Sequence, residues 1–409
     1  MRLLKVDKLE EAREKLQQAA SAFRLQEETV PLCEAEGRVL SQDVRAAESV
    51  PGFAKSTMDG YAVRAKDTQG VTDSIPCFLE VVDEIKIGHA AEKKIGPGQC
   101  AYVPTGGMLP EGADAVVMIE YCEHFDDTQL AVYNAVSPGR NVVQEGEDIQ
   151  KDAVIMKRGS YLRPQEIAAL ASCGVSGVPL YCRPKITIIS TGDELVGVDD
   201  DLGPGQIRDT NTWGLKAQCA RSGIQVVRTK VLKDDEELLR NTIRSAMEDS
   251  DIVVTSGGSS QGKHDFTAKV IDGLSHPGVF VHGIALKPGK PTIIAFDQPS
   301  STLLMGLPGH PVASMVVFEF FVVWLLRQKM GMKEPMKFPA RIENNVAGGA
   351  GRAYCLMVQL IAAEDGWIAR PVLGKSALIT VLTRADGYTF IDTNKEGLKE
   401  GEQVMVNLF

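Results

Sequence analysis

Carboxylates and lysines beside glycines and prolines are the residues of this sequence whose types and spacing could do chemistry. Asp265 follows an apolar run, Ile252–Val254, and a loop of small and hydroxylated residues, Thr255–Gly262. Glycines let a backbone approach a ligand closely, and free N–H groups at a helix start suit an anion such as phosphate. A carboxylate in that loop would repel the anion unless a metal ion or a ligand hydroxyl lies between them. The segment therefore predicts a nucleotide or phosphorylated-cofactor site with a metal, although Gly257-Gly258 alone could equally be a tight turn.

Further carboxylates stand in segments rich in turn-forming residues: Asp59, Asp148, Glu194 and Asp234. With Lys287 and Lys290 they suit metal-assisted chemistry at a phosphoanhydride, in which magnesium bridges carboxylate and phosphate oxygens. The two lysines lie in a proline-stiffened turn that suits a small oxyanion. Met58-Asp59-Gly60 is also an ordinary hairpin-turn pattern, and Asp148 could equally lie in an acidic surface turn.

Strand-like and helix-like segments alternate from Lys185 onward, which predicts a mostly parallel, doubly wound sheet. In such sheets, ligands bind beyond the carboxyl ends of the strands. Polar loops follow the predicted strands at Glu194, Asp234, Asp265 and Pro308. A functional cleft at that edge is therefore favoured over a set of unrelated surface turns.

The regions on either side of this sheet are rich in short strand-like runs. A small β-rich domain is predicted at 48–146, inserted in an N-terminal helical and linker domain at 1–47 and 147–177. The α/β domain is expected at 178–331. Further strand-like runs, among them Leu378–Leu382, predict a C-terminal domain of β-barrel or sandwich type at 332–409. The predicted fold class is therefore multidomain α/β, with a central doubly wound sheet, an inserted β domain and a barrel-like C-terminal domain.

Composition and charge argue against several function classes. The chain has 409 residues and a formal net charge of −10, which disfavours a non-specific nucleic-acid binder. Its eight cysteines include no C-x-x-C pair, which disfavours a zinc site or a disulfide framework and favours reduced cytoplasmic thiols. The longest apolar run, Val312–Leu326, is too short to span a bilayer and contains Glu319, so it is predicted to be a buried core helix.

Two sequence motifs bear on the class of enzyme. No G-x-G-x-x-G follows a first strand, which disfavours a dinucleotide dehydrogenase. The pattern G-x-S-x-G occurs at Gly258–Gly262, but the nearby His264 and Asp265 are adjacent in sequence and poorly placed as a relay, which leaves a hydrolase weakly supported. The charged N-terminal residues do not resemble a signal peptide, so we expect a cytoplasmic protein that binds neither membrane nor nucleic acid.

In their order along the chain, the motifs resemble those of the MoeA-type molybdopterin molybdenumtransferases, also called molybdenum insertases. The matching stretches are P-G-F-A-K-S-T-M-D-G-Y-A-V-R, P-T-G-G-M-L-P-E-G-A-D-A-V-V-M, G-E-D-I, S-T-G-D-E-L, G-Q-I-R-D-T-N, S-G-G-S-S-Q-G-K-H-D, K-P-G-K-P and G-L-P-G-H-P-V-A-S. Each is weak alone, but the ordered set covers nearly the whole chain. Two departures stand out: His310 replaces the family's usual Asn, and the glycine loop reads G-G-S-S rather than G-G-V-S.

The resemblance implies a homodimer with its active site between the subunits, and magnesium-dependent insertion of molybdate into adenylylated molybdopterin with release of AMP. It implies catalytic roles for Asp59, Thr105, Asp148, Glu194, Asp234 and Asp265. Metal binding is implied for Asp59, Glu194, Asp234 and Asp265. Cofactor binding is implied for Ser256, Gly257, Gly258, Pro308, Gly309 and Pro311, and molybdate binding for Lys287, Lys290, Arg352 and Ser376.

The partners that the resemblance implies are a molybdopterin adenylyltransferase, which delivers the substrate, and molybdoenzyme acceptors or chaperones, which receive the product. Two alternatives stay open. The chain could itself adenylylate molybdopterin, or it could be a non-catalytic scaffold for cofactor assembly.

Overall fold

The chain folds into two compact units. The computed structural model describes residues 6–257, 266–349 and 351–409. One unit, the β unit, comprises Thr29–Leu180, and the other, the α/β unit, comprises the residues up to Glu28 together with Tyr181–Phe409. The predicted domain boundaries divide the chain more finely than this and stay a prediction.

Eight α-helices lie in the described part of the chain. They are α1 (Leu9–Ala19), α2 (Pro164–Ser172), α3 (Asn211–Arg221), α4 (Glu236–Ala246), α5 (Thr267–Leu274), α6 (Pro311–Phe318), α7 (Trp324–Met330) and α8 (Thr380–Thr383).

A mixed six-stranded sheet is the core of the β unit. Its strands are β1 (Gly60–Val63), β2 (Cys77–Glu84), β3 (Gln99–Val103), β4 (Ala115–Met118), β5 (Cys122–His124) and β6 (Gln129–Val132), in the spatial order β4-β1-β3-β2-β6-β5. Ala115 and Val117 of β4 pack into one hydrophobic cluster, and Val116, which lies between them, packs into a second one. Side chains alternate between the faces of a strand, so both faces of this sheet are buried.

The α/β unit is built on a second six-stranded sheet. Its strands are β7 (Lys185–Thr191), β8 (Gln225–Leu232), β9 (Ile252–Ser256), β10 (Val279–His282), β11 (Ile293–Asp297) and β12 (Thr302–Leu307), in the spatial order β8-β7-β9-β12-β11-β10. In this spatial order the first four strands, β8, β7, β9 and β12, are parallel to one another. By contrast, β11 is antiparallel to both of its neighbours. The predicted alternation of strands and helices from Lys185 onward is confirmed.

Helices cover both faces of this sheet. Residues of α1, α3 and α6 pack with Ile188, Val254 and Met305 on one face. Residues of α4 and α5 pack with Ile189 and Val253 on the other face. The neighbouring residues of each strand thus point to opposite helix layers, which fixes the register of the strands.

The predicted core helix is confirmed. An unbroken helical run, Pro311–Met330, passes through α6, a π-helical turn at Glu319–Val323 and α7. It is long and apolar enough to cross a membrane by length and composition alone, but 67% of it is buried inside the structure. Phe318, Phe321 and Leu325 of this run lie in the same cluster as the sheet residues.

The C-terminal strands close into a barrel. They are β13 (Lys337–Ile342), β14 (Ala353–Ala363), β15 (Gly366–Pro371), β16 (Gly387–Ile391) and β17 (Gln403–Leu408), paired around the ring in the order β14-β15-β13-β17-β16-β14. The chain therefore has a multidomain fold with mixed sheets and a closed five-stranded barrel, which confirms the predicted fold class at this level.

The predicted strand Leu378–Leu382 is wrong. The segment forms turns, with the Val381 N–H donating to the Leu378 carbonyl oxygen, and it continues into the short helix α8. Leu378 and Ile379 are exposed, while Val381 packs beside Gly374. The run of apolar and β-branched residues suggested a strand, but local turn bonds and one buried contact decide its conformation.

Candidate functional site

The parallel strands of the α/β unit end at one edge, and predicted site residues follow each end that the structure describes. The register pairs Thr191 of β7 with Leu232 of β8, and Ser256 of β9 with Leu307 of β12. Glu194 and Asp234 therefore follow neighbouring strands, and Pro308 follows β12 on the other side of β9 at the same edge, as expected. Asp265 and Gly258, also predicted at this edge, lie outside the described residues.

A cavity of about 430 Å³ opens at this edge. The predicted site residues that line it are Glu194, Ser256, Gly257, Gly309 and Pro311. Pro308 is buried just before them. The structure thus brings together most of the predicted cofactor-binding residues. 

His310, which departs from the family's usual Asn, also lines the cavity. Further lining residues had no predicted role: Thr191, Leu195, Leu202, Gln206, Ile207, Arg208, Asp209, Thr210, Asn211, Ala377 and Ile379. Arg208 and Asn211 belong to the G-Q-I-R-D-T-N stretch, which ends at the first residue of α3. The position of that stretch between a strand end and a helix start is the signal that could have identified them.

The Arg208 side chain supports the loop that lies over one side of the cavity. Its Nε donates to the carbonyl oxygen of Val198 (2.8 Å), and its Nη2 donates to that of Asp200 (3.1 Å). Leu202 and Ile207 of the same loop are about half exposed, at 50% and 54%. The loop therefore offers an apolar wall and a cation to a ligand in the cavity.

Gly257 allows β7 and β9 to approach closely at the floor of the cavity. Its φ is 104°, a conformation that residues with a side chain rarely adopt. A Cβ atom added there would lie 2.1 Å from the carbonyl oxygen of Thr191. The glycine is required for two reasons, the backbone conformation and the neighbouring strand.

The start of α3 is held to three strand ends by hydrogen bonds. Asn211 Nδ2 donates to Ser256 Oγ (2.6 Å) and to the carbonyl oxygen of Gly309 (2.8 Å). The buried Asp209 accepts from Ser190 Oγ (3.1 Å) and from the Thr212 N–H (3.1 Å). These bonds tie the loops after β7, β9 and β12 into one polar framework.

Two predicted metal ligands, Glu194 and Asp234, lie at the ends of neighbouring strands, and both are exposed. Asp193 connects their loops: the Asp234 N–H donates to Asp193 Oδ1 (3.3 Å), and Lys233 Nζ donates to the Asp193 carbonyl oxygen (2.7 Å). Among the described residues no group of three or more His, Cys, Asp or Glu side chains is arranged to hold a metal. Magnesium often takes only one or two protein carboxylates together with substrate phosphates, so this pair of exposed carboxylates fits it.

Asp59 and Thr105 meet in the β unit. The Thr105 N–H (2.7 Å) and hydroxyl (3.0 Å) both donate to Asp59 Oδ1. These bonds, that of the backbone first, lower the pKa of Asp59 below its ordinary value, because they stabilise the ionised carboxylate. Asp59 is therefore an exposed, ionised carboxylate in a fixed orientation.

Asp148 is also exposed and belongs to the β unit. The segment that contains Asp148 runs antiparallel to the segment that leads to Asp59. Val143 lies opposite Lys55, and Ile149 lies opposite Val50. Asp59 follows one end of this pairing and Asp148 lies at the other. Within the β unit, the two carboxylates are therefore at separate places.

The four residues expected to bind molybdate all belong to the α/β unit. The short strand Leu286–Lys287 runs parallel to the start of β14, so Lys287 lies opposite Tyr354 and close in sequence register to Arg352. Lys287 Nζ lies 4.5 Å from the centre of the Tyr354 ring. Lys290 follows in the same turn, where a Cβ atom on Gly289 would meet Val317 of α6 at 2.8 Å.

Ser376 contacts His310, one of the residues that line the cavity. His310 Nδ1 and Ser376 Oγ form a hydrogen bond of 2.8 Å, and the Val312 N–H donates to the Ser376 carbonyl oxygen (3.2 Å). The contacts therefore join Ser376 to the start of α6, and Lys287 to the segment of Arg352.

Three family models match the chain in succession. They describe the MoeA N-terminal region (domain I and II) at residues 8–174, a probable molybdopterin binding domain at 187–328 and the MoeA C-terminal region (domain IV) at 339–409.

Individual proteins match over nearly the full length. A putative molybdopterin biosynthesis protein of Methanocaldococcus jannaschii is 33% identical over 93% of this chain and 91% of its own. A molybdopterin molybdenumtransferase of Bacillus subtilis is 33% identical over 94% and 91%. Two crystal structures of molybdopterin biosynthesis MoeA proteins from Pyrococcus horikoshii match with TM-scores of 0.82 and 0.80, at 36% and 29% identity, covering 99% of this chain and 99% and 100% of theirs.

Proposed function

Because the chain belongs to the MoeA family, we propose that it is a molybdopterin molybdenumtransferase, which inserts molybdate into adenylylated molybdopterin and releases AMP. The observation that carries the proposal is the cavity at the carboxyl edge of the α/β sheet. It combines a glycine that keeps two strand ends close together, the starts of α3 and α6, and a cation with neighbouring carboxylates. This combination suits a ligand that carries both phosphates and an uncharged ring system.

The pterin–nucleotide substrate occupies this cavity in our proposal. Gly257 keeps the ends of β7 and β9 close together at the cavity floor, and the loop Pro308–Pro311 supplies the start of α6. The apolar wall of Leu202 and Ile207 suits a flat ring, and Arg208 suits a phosphate. Gly258 completes this set by the family resemblance.

Magnesium would be held by Glu194 and Asp234, with Asp265 and Asp59 as further ligands by the family resemblance. Bound there, the ion would neutralise charge on the phosphoanhydride and on the departing AMP. The role of this chain's own residues is to place the carboxylates: Asp193 fixes the backbone of Asp234, and Thr105 keeps Asp59 ionised.

Lys287, Lys290, Arg352 and Ser376 would bind molybdate. Three cations and one hydroxyl donor suit a dianion with tetrahedral oxygens. His310 lines the cavity, so its hydrogen bond to Ser376 places the hydroxyl beside the proposed substrate site.

We further propose a cytoplasmic homodimer in which the β unit of the second subunit supplies Asp59 and Thr105 to the site. A catalytic role for Asp148 belongs to the same proposal by the family resemblance. A molybdopterin adenylyltransferase would deliver the substrate, and molybdoenzymes or their chaperones would receive the product. The four predicted domains at 1–47 with 147–177, 48–146, 178–331 and 332–409 belong to the same proposal, as does the doubly wound, mostly parallel character of the central domain.

The direct test follows AMP release by the purified protein. Adenylylated molybdopterin and magnesium are supplied with molybdate, with tungstate or with neither oxyanion. We expect AMP release that depends on an oxyanion and on magnesium. A second assay supplies ATP and molybdopterin, and release of pyrophosphate in it would instead indicate an adenylyltransferase. Binding of adenylylated molybdopterin without AMP release under any condition would indicate a scaffold.

A further inference from the structure

Asn211 has a bonding pattern at the cavity that the proposed roles do not use. It is the first residue of α3, and both hydrogens of its amide nitrogen are committed, one to Ser256 Oγ at 2.6 Å and one to the Gly309 carbonyl oxygen at 2.8 Å. A carbonyl oxygen can only accept, so the amide cannot turn over without losing that bond. The orientation of the side chain is therefore determined by chemistry.

The two acceptors belong to the segments that form the cavity floor. Ser256 ends β9, and Gly309 follows β12. A Cβ atom on Gly309 would lie 3.7 Å from the Cα of Gly257, so these segments are in contact as well as joined through Asn211. Among the described residues, the pairing of β9 with β12 ends at Ser256 and Leu307. Asn211 thus continues the connection between the strands at the point where their pairing ends.

We propose that Asn211 is a positioning residue for the substrate: its amide sets the spacing of the Ser256–Gly257 and Gly309 segments that receive the pterin–nucleotide. This inference rests on the proposed function and deepens it. A displacement of about 1 Å in a binding loop can reduce activity about 100-fold, so loss of this clamp should weaken binding by shifting the Ser256–Gly257 and Gly309 segments.

A second buried amide on the same helix provides a matched control. Gln218 Nε2 also donates to two acceptors, Glu319 Oε2 at 2.8 Å and the Met315 carbonyl oxygen at 3.2 Å. In both side chains the amide oxygen is buried without a hydrogen-bond partner among the described residues. Gln218 joins α3 to α6, but it does not line the cavity. Loss of either clamp removes similar bonds, and only one of them is at the site.

The experiment compares Asn211→Ala with Gln218→Ala. Equilibrium binding of adenylylated molybdopterin is followed by pterin fluorescence without molybdate, well below the melting temperature of each variant. We expect Asn211→Ala to weaken binding by about 10- to 100-fold. Gln218→Ala should lower the melting temperature by a similar amount and leave the Kd unchanged. Equal Kd values for wild type and Asn211→Ala would overturn the inference, as would equal losses in both variants.

A double-mutant cycle with Ser256→Ala tests the route of the effect. Because Asn211 acts partly through Ser256, the combined loss in Kd should be smaller than the product of the single losses. A combined loss in Kd equal to the product of the two single losses would contradict the proposed clamp. If wild type binds the substrate but releases no AMP, the proposed function fails while the binding comparison still tests Asn211. If wild type does not bind it, both fail.

Discussion

Replacement of Gly257 by alanine tests whether the cavity floor is built as described. Two costs follow from the structure. The first is conformational: a φ of 104° costs a residue with a Cβ about 1–2 kcal/mol. The second is steric: a Cβ 2.1 Å from the Thr191 carbonyl oxygen must move by about 1 Å, and overpacking of this kind costs about 1–3 kcal/mol. The two together predict a loss of about 2–5 kcal/mol.

Thermal unfolding provides the assay, and Gly205→Ala provides the control. Gly205 also has a positive φ, 79°, but nothing lies within 4 Å of the position of its Cβ. It should therefore show only the conformational cost, about 1–2 kcal/mol. At about 2–4 °C per kcal/mol, Gly257→Ala should lower the melting temperature by about 4–20 °C and clearly more than Gly205→Ala. Equal shifts in the two variants would refute the claim that β7 and β9 are in close contact at this point.

Two other predictions follow from the pKa directions. Thr105→Val removes one of the two hydrogen bonds that lower the pKa of Asp59, while the backbone bond remains. The pKa of Asp59 should therefore rise, and the acidic limb of the pH–rate profile should move to higher pH. An unmoved limb would contradict the role of the hydroxyl. Burial raises the pKa of the Cys100 and Cys219 thiols to about 12, so iodoacetamide at pH 8 should modify exposed Cys33 well before either. Peptide mass spectrometry measures this order, and early modification of Cys219 would argue against the described core.

The sequence was sufficient to predict which residues lie at the carboxyl edge of the sheet, because the signals for that edge are local. Each parallel strand is a short apolar run followed by small or polar residues, and parallel strands must end on the same side. Glu194, Asp234 and Pro308 could therefore be assigned to one edge from the sequence alone. The structure confirms their common location.

The hydrogen-bonded framework at that edge could not be predicted in the same way. Asn211 acts on Ser256 and Gly309, which are 45 and 98 residues away in sequence. Nothing in the composition of the G-Q-I-R-D-T-N stretch indicates those partners. The turn at Leu378–Leu382 illustrates the opposite error, because a strand-like composition there is overridden by turn bonds and by the contact of Val381 with Gly374.

The rate of molybdate-dependent AMP release in Asp59→Asn, compared with that in Asp126→Asn, tests the account most directly. Both aspartates are exposed, and both accept hydrogen bonds from the N–H and hydroxyl of a threonine, Thr105 and Thr128 respectively. Only Asp59 has a proposed role in the reaction. We predict that Asp59→Asn abolishes AMP release in a folded protein while Asp126→Asn keeps the wild-type rate. Wild-type AMP release in Asp59→Asn would contradict the assignment of this carboxylate to the active site.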